Sequence, residues 1–437
     1  MERQIEESNP ASLVGVGQAK LKLRFSVADG EVSRRELFTA AWLHYEVIPY
    51  IESTKCSGYD GCGLCVSSCL LKAIQADGDA VTITPSLCSG GGACVERCPS
   101  RAVVYPTFTL EKLDREMEEL LPPDDRALKP RIIATVCQSC LPITSRDKLA
   151  QLCSTANIGV LPVPCLAMVS PWMMLRAFDR GADGFALVAG SGGCRIGYDE
   201  ARWQGGVQFV QDVFNNWDIE AERIRLFDVV ESEIDSLERN LSEFVQQVAG
   251  LGSTSLAGHQ PTPVPDDGLR LPILLQGMND KLGTSSEGVV LAGEVPFGRV
   301  TLDDSSCTGC SLCAVDCPTG ALTVIASEET GDYRLLFDHS NCVACGKCAA
   351  ICPEECLSLE RILEWSEFDK PAVEIFTDSV VRCAECGEPI GTRAMLDSVR
   401  AKMVAVGQYL PDRFELCPVC KVKAQFESWG TVTDQIG

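Results

Sequence analysis

Histidine is almost missing from this chain: there are three in 437 residues, His44, His259 and His339, scattered with no nucleophile or paired carboxylates to join. The sequence therefore displays no catalytic apparatus of its own. No apolar run approaches the roughly 18 residues that a membrane helix needs. Positive charge is also scarce, 38 Lys and Arg against 61 Asp and Glu, for a net charge of -23. That balance excludes a nucleic-acid surface and leaves solubility, or docking to a basic face of another protein. No G-x-G-x-x-G opens a predicted helix and no G-x-x-x-x-G-K occurs, so the chain is expected to bind neither nucleotide nor flavin. The Gly190 to Gly193 stretch, GSGG, reads as a flexible loop instead. A secretory leader is not visible either. The twin arginines Arg34 and Arg35 lie too far in, and the apolar stretch after them is broken by His44, Glu46 and Pro49. The expected location is a reduced cytoplasm.

What the chain has in excess is cysteine, 25 residues, many at C-x2-C spacing that suits ligands better than disulfides. With 46% hydrophobic residues there is ample material for several packed cores. The strongest pattern lies in residues 297–362. Cys307, Cys310, Cys313 and Cys317-Pro318 are followed by Cys342, Cys345, Cys348 and Cys352-Pro353. Both runs keep the C-x2-C-x2-C-x3-C-P spacing and resemble a two-cluster bacterial ferredoxin, in which each fourth cysteine serves the other cluster. Two 4Fe-4S clusters are expected, one on Cys307, Cys310, Cys313 and Cys352, the other on Cys342, Cys345, Cys348 and Cys317. Cys356 is left over and reads as core.

Residues 51–107 resemble the same domain with two departures. Tyr59 stands where the first cysteine is expected, and Cys56 is the nearest thiol; Gly91 stands where the second cysteine of the second group is expected. Cys56, Cys62, Cys65 and Cys98 are expected to hold a 4Fe-4S cluster. Cys69, Cys88 and Cys94 leave three thiolates, the number that holds a 3Fe-4S cluster. The competing readings are a 4Fe-4S cluster completed by water or a foreign ligand, and no second cluster at all.

Between these lies a domain read as residues 131–250. Three short apolar runs end in cysteine: RIIATVC at Cys137 with Cys140 beyond it, IGVLPVPC at Cys165, and DGFALVAGSGGC at Cys194. Each is followed by helix-like sequence, which predicts βαβ units on a parallel sheet. Helices are predicted near 200–215 and 232–251, with RIRLFDVV as the fourth strand. In such sheets sites form at the carboxyl ends of the strands, so the four thiols are expected at one edge. One C-x2-C plus two distant cysteines suits an iron–sulfur cluster better than zinc, and 2Fe-2S is the expectation. The motifs VCQSC, VPC, RAFDRGADGFALVAG, CRIGY and DIEAERIRLFDVVESE are similar to the delta subunit of methyl-viologen-reducing hydrogenase. The resemblance implies a 2Fe-2S cluster on Cys137, Cys140, Cys165 and Cys194, and electron transfer to the flavin subunit of heterodisulfide reductase. A further family cysteine corresponds to Gly190 or Ser191 here. Cys153 lies outside the motif and reads as a small buried hydrophobe.

Residues 363–437 carry Cys383 and Cys386, then Cys417 and Cys420, with a helix predicted near 393–405 between them. Two such knuckles suit a closed tetrahedral zinc site, with rubredoxin-like iron as the competitor. Among the remaining segments, residues 1–50 are read as a strand, LKLRFSV, and a helix, SRRELFTAAWLHY, capped by Ser33. Residues 108–130 are read as an amphipathic connector helix. Residues 251–296 begin with a Pro, Ser and Gly-rich linker that lets the halves move, followed by apolar segments covering the next domain.

The expected architecture is thus multidomain α+β and α/β. Two ferredoxin-like two-cluster domains flank a small doubly wound parallel-sheet domain, and a zinc-ribbon-like module closes the chain. The expected cofactors are three 4Fe-4S clusters, one 3Fe-4S or incomplete 4Fe-4S cluster, one 2Fe-2S cluster and one zinc. Cofactors in a row connect remote redox partners, so an electron-relay subunit of a multi-subunit oxidoreductase is expected. The resemblance implies a flavoprotein on one side and a ferredoxin, hydrogenase, dehydrogenase or reductase on the other. Parts of this kind occur in heterodisulfide-reductase-like assemblies, quinone-interacting oxidoreductases and class II benzoyl-CoA reductases, several of which bifurcate electrons at a flavin. A stand-alone redox sensor or soluble carrier is the alternative.

Overall fold

The computed structural model describes residues 22–24, 44–46, 48–122, 130–138, 153, 158–190, 200–229, 234–263, 269–283, 290–292, 295–327, 330–368, 370–407 and 414–433. At its centre are four parallel strands, β1 (Ile132–Cys137), β2 (Ile158–Val163), β3 (Gly184–Gly190) and β4 (Ile224–Val229), in the order β4-β3-β1-β2. The near-continuous apolar runs follow from burial on both faces. Alternate residues of β1 divide between two cores. Ile133 and Cys137 join one with Phe185, Phe178 and Phe214, while Ile132, Ala134 and Val136 join the other with Phe227, Phe244 and Val248. Each fully buried aromatic or aliphatic side chain contributes roughly 1.5–3 kcal/mol.

Helices cover both faces, as expected of a doubly wound sheet. The first core takes α1 (Leu110–Leu120), α2 (Pro171–Asp179), α3 (Glu200–Asn216) and α5 (Arg270–Leu282); the second takes α4 (Ile234–Leu251). Ser170 caps α2, its hydroxyl accepting from the Met173 N–H, and Thr109 caps α1 in the same way with Lys112.

Three expectations change here. Helix α1 is more than a connector: Leu113 and Met117 are buried in the central core. The stretch read as a hinge is tied down through its described part, to residue 263. The Thr262 backbone N–H and hydroxyl donate to Asp179 at 2.8 and 2.9 Å, and the Thr262 carbonyl accepts from Arg176 at 2.6 Å. Helix α5 then packs Leu274, Leu275 and Met278 onto the central unit, while Val290–Ala292 pairs with the second ferredoxin unit. Near the N-terminus, Lys22–Arg24 is a strand as expected, but it pairs antiparallel with His44–Glu46, where the end of a helix was expected. Two short β-prone runs satisfy each other's backbone groups there.

The two ferredoxin units share one plan. In the first, Tyr50–Ile51 pairs with Val103–Val104 and Ile74–Asp77 with Ala80–Ile83. In the second, Gly298–Leu302 pairs with the strand Leu357–Glu364, and Leu322–Ala326 pairs with Asp332–Phe337. Two short helices carry Cys65 and Cys94 in one unit, Cys313 and Cys348 in the other. The C-terminal segment is continuous with this second unit, because Val373–Arg382 and Pro389–Thr392 extend its hairpin into a four-stranded sheet. All three main units also meet in one core. Tyr105 and Phe108 from the first, and Phe297, Trp365 and Phe368 from the second, lie with the central aromatics, including Trp217 against Trp365 at 5.7 Å.

A buried ionic network holds these helices together. Asp114 of α1 accepts from Arg176 and Arg180 at 2.7 Å each, and Arg176 continues to Asp179 at 2.6 Å. Burial alone would raise the Asp114 carboxyl, but hydrogen bonds from Arg180 and Arg176, with their charges, hold it at about 2. A depressed acid contributes stability that is complete above its ordinary value near 3.8 and lost as pH falls through about 2. The Asp114→Asn variant should lose on the order of 2 kcal/mol at neutral pH. Its stability should also fall less steeply than the parent's on acidification, measured by denaturant unfolding followed by tryptophan fluorescence. Identical pH slopes would contradict the network's role.

Candidate metal centres

In the second ferredoxin unit, Cys307, Cys310, Cys313 and Cys352 surround one small cavity and Cys317, Cys342, Cys345 and Cys348 surround another. The fourth cysteine of each run has crossed to the other group. Burial pushes the Cys313 thiol up to about 12, helped by the charges of Cys310, Cys307, Cys348 and Cys352. Burial likewise pushes Cys342 up to about 12, against a lowering amide at Ala344 and with the charges of Cys348, Cys345 and Cys317. Such thiols stay protonated at neutral pH unless a cation joins them; iron held by these cysteines would supply that charge and release the protons. Backbone amides already aim at the sulfurs, Gly309 N–H to Cys307 at 3.4 Å and Leu322 N–H to Cys317 at 3.5 Å. Gly309 has φ +62, and a Cβ there would press on Thr392 and Phe376, so this loop closes only with glycine.

The first unit brings its thiols together in the same way. Burial, then the charges of Cys98, Cys62 and Cys56, push Cys65 up to about 11. Burial, then Cys88, Cys69 and Cys65, push Cys94 up to about 12. Cys69, Cys88 and Cys94 line a cavity whose wall includes Gly91 and Gly92. Amides of Ala102, Ala73 and Gly90 donate to Cys98, Cys69 and Cys88 at 3.2, 3.3 and 3.4 Å. Gly92 has φ +72, and a Cβ there would collide with Met168. The loop therefore lies directly against the turn that follows Cys165.

In the central unit, Cys137 ends β1 and Cys165 starts the turn Leu166–Met168 just after neighbouring β2. Both are buried at the carboxyl edge of the sheet. Cys140 and Cys194 lie outside the described residues. Cys153 sits among Ile132, Ala134 and Val136, and burial pushes its thiol up to about 11, in keeping with a core filler.

The sulfurs of Cys383, Cys386, Cys417 and Cys420 all lie within 4.8 Å of one another. A tetrahedron with metal–sulfur bonds near 2.3 Å needs sulfurs about 3.8 Å apart. Cys386 and Cys417 are at 3.6 Å. Amides of Cys417 and Cys420 donate to Cys383 and Cys417 at 3.2 and 3.4 Å, and the amides of Cys417 and Cys386 bring the Cys383 thiol down to about 6. The donor set fits zinc, or a single iron.

Cys356 was read as core, and it is buried; yet its sulfur stands 3.5 Å from Cys352. A hydrogen bond also links it to Cys307. The C-P-E-E-C spacing was the available signal, since four residues on from the cluster cysteine the chain turns back over it. His339 is structural as expected, its Nδ1 facing the Gly298 carbonyl at 3.0 Å and its Nε2 accepting from the Glu364 N–H at 3.1 Å.

Thiols gathered in a ferredoxin-type unit and again in a segment built on the same plan, beside a parallel-sheet domain with Cys137 and Cys165 at its carboxyl edge, are the parts of an iron–sulfur electron-transfer protein. Residues 132–252 match the family described as methyl-viologen-reducing hydrogenase, delta subunit, and residues 306–356 match the 4Fe-4S dicluster domain. The chain is also 25% identical over 135 residues to an iron-sulfur subunit of the F420-non-reducing hydrogenase Vhc of Methanococcus voltae, covering 29% of this chain and 90% of that protein. Among the described residues no helix is long and apolar enough to cross a membrane.

Replacing Cys417 with Ser should remove the ion held by the C-terminal thiols while leaving cluster iron and sulfide unchanged. Elemental analysis decides it; loss of cluster iron, or an unaltered metal content, would contradict the assignment.

Proposed function

We propose that this chain is the electron-relay subunit of a cytoplasmic multi-subunit oxidoreductase. It passes electrons between a flavoprotein resembling the heterodisulfide reductase flavin subunit and a ferredoxin, hydrogenase, dehydrogenase or reductase partner. Bifurcation, where it occurs, belongs to the flavin of the partner. The observation that carries this reading is the joint core: a hydrogenase-delta-type domain and two ferredoxin units are packed as one body, with thiol groups at their meeting edges.

The thiol groupings of the ferredoxin-like units and the C-terminal segment support the ligand sets read there, and the resemblance of the central domain supports the set read for it. Cys307, Cys310, Cys313 and Cys352 hold one 4Fe-4S cluster, Cys342, Cys345, Cys348 and Cys317 a second, and Cys56, Cys62, Cys65 and Cys98 a third. Cys69, Cys88 and Cys94 hold a 3Fe-4S or incomplete 4Fe-4S cluster, since Gly91 offers no ligand atom in that wall. Cys137, Cys140, Cys165 and Cys194 hold a 2Fe-2S cluster, and the C-terminal four hold zinc. The similarity to a hydrogenase iron-sulfur subunit supports membership of a complex.

Anaerobic isolation of the native protein tests the reading. Stoichiometric recovery with a flavin-containing subunit and a catalytic subunit is expected. Recovery of the chain alone, without flavin, would contradict it in favour of a free carrier or sensor.

A further inference from the structure

The two ferredoxin units are separated in sequence by the whole central domain, but they touch beside their cysteines. Lys347 lies between Cys345 and Cys348 and opens the short helix Lys347–Ile351. Its ammonium donates to the backbone carbonyl of Asp60 in the other unit, two residues before Cys62. Cys98 of the first unit and Cys345 of the second also stand in the wall of a shared cleft of about 840 Å³.

We infer that electrons pass between the two ferredoxin units at one crossing, where Lys347 straps the Cys345 loop of the second against the Cys62 loop of the first. This rests on the relay reading. The physical need is plain, because thiolate-ligated groups brought together repel one another, in a chain that already carries -23. An ammonium between them offsets that repulsion, and its bond to the Asp60 carbonyl fixes the spacing.

Within each unit the thiol groups are also neighbours, Cys94 packed in one buried cluster with Cys65 and Cys313 in another with Cys348. At the far end of the first unit, the Gly92 loop rests on Met168, three residues after Cys165. The crossing therefore turns separate pairs into one series. It runs from the edge of the central sheet, through Cys69, Cys88 and Cys94, to Cys62, over to Cys345, and on to Cys313. A series of this kind gives the chain two ends, one at the central sheet and one beside the C-terminal module.

The test is an EPR-monitored redox titration of the complete, cluster-loaded chain alongside its Lys347→Met and Lys347→Arg variants, with iron and sulfide content as the control. Removing a positive charge near a cluster favours its oxidised form. Lys347→Met should therefore lower two midpoint potentials, one from each ferredoxin unit, and leave the others in place, while Lys347→Arg stays near the parent. A shift in one potential only, or in none, with iron intact would overturn the strap. Transfer between the two partners of the complex should slow in Lys347→Met; two shifted potentials with an unchanged rate would overturn the crossing. If the parent chain transfers nothing between partners, the relay reading fails instead, and the potentials still report where Lys347 stands.

Discussion

The cost of burying crowded thiols is the constraint on which the sites depend. Cys65, Cys94, Cys313 and Cys342 are each pushed well above the ordinary thiol range, first by burial and then by neighbouring sulfurs. Left to themselves, such groups would stay protonated or disperse. The chain instead presses them together and turns backbone N–H groups towards them, as Ala102 does for Cys98 and Gly309 for Cys307. A bound cation would favour that arrangement, so that metal binding would add to folding stability.

Rigid mounting follows from that demand. The central sheet, helix α5, and the aromatic edges of both ferredoxin units form one core rather than beads on a string. Burying Asp179 against Arg176, Thr262 and Lys281 fastens the segment after α4 where free movement was expected. A relay gains from this, because transfer between redox groups depends on fixed separations. The same packing explains why the C-terminal strands extend the second unit's hairpin: Thr392 Oγ1 donates to the Thr308 carbonyl beside Cys307, joining the two sites mechanically.

What could be read from the sequence was local. The C-x2-C-x2-C-x3-C-P runs state their own geometry, since tight loops fix where each thiol points, and the β-branched runs ending at Cys137 and Cys165 announce a parallel sheet. The C-terminal knuckles were equally legible, because two C-x2-C pairs need only meet. The rest depended on contacts between distant segments. Nothing near Thr262 signals that it will be held by Asp179, and at His44 and Tyr45, where the helix over 33–45 was expected to end, the chain pairs with Lys22–Arg24 instead. Cys356 is buried in the core as expected, but that reading did not place it against Cys352. Nor does the sequence place Lys347 against the Asp60 carbonyl of the first unit.

The central claim is that the buried thiols of residues 306–356 hold clustered iron. Mössbauer spectroscopy of the anaerobically prepared, iron-57-enriched chain tests it most directly. The account predicts quadrupole doublets of 4Fe-4S clusters, with enough iron per chain to fill both cysteine sets of that unit. A folded chain without iron, or one whose iron is all mononuclear, would contradict it.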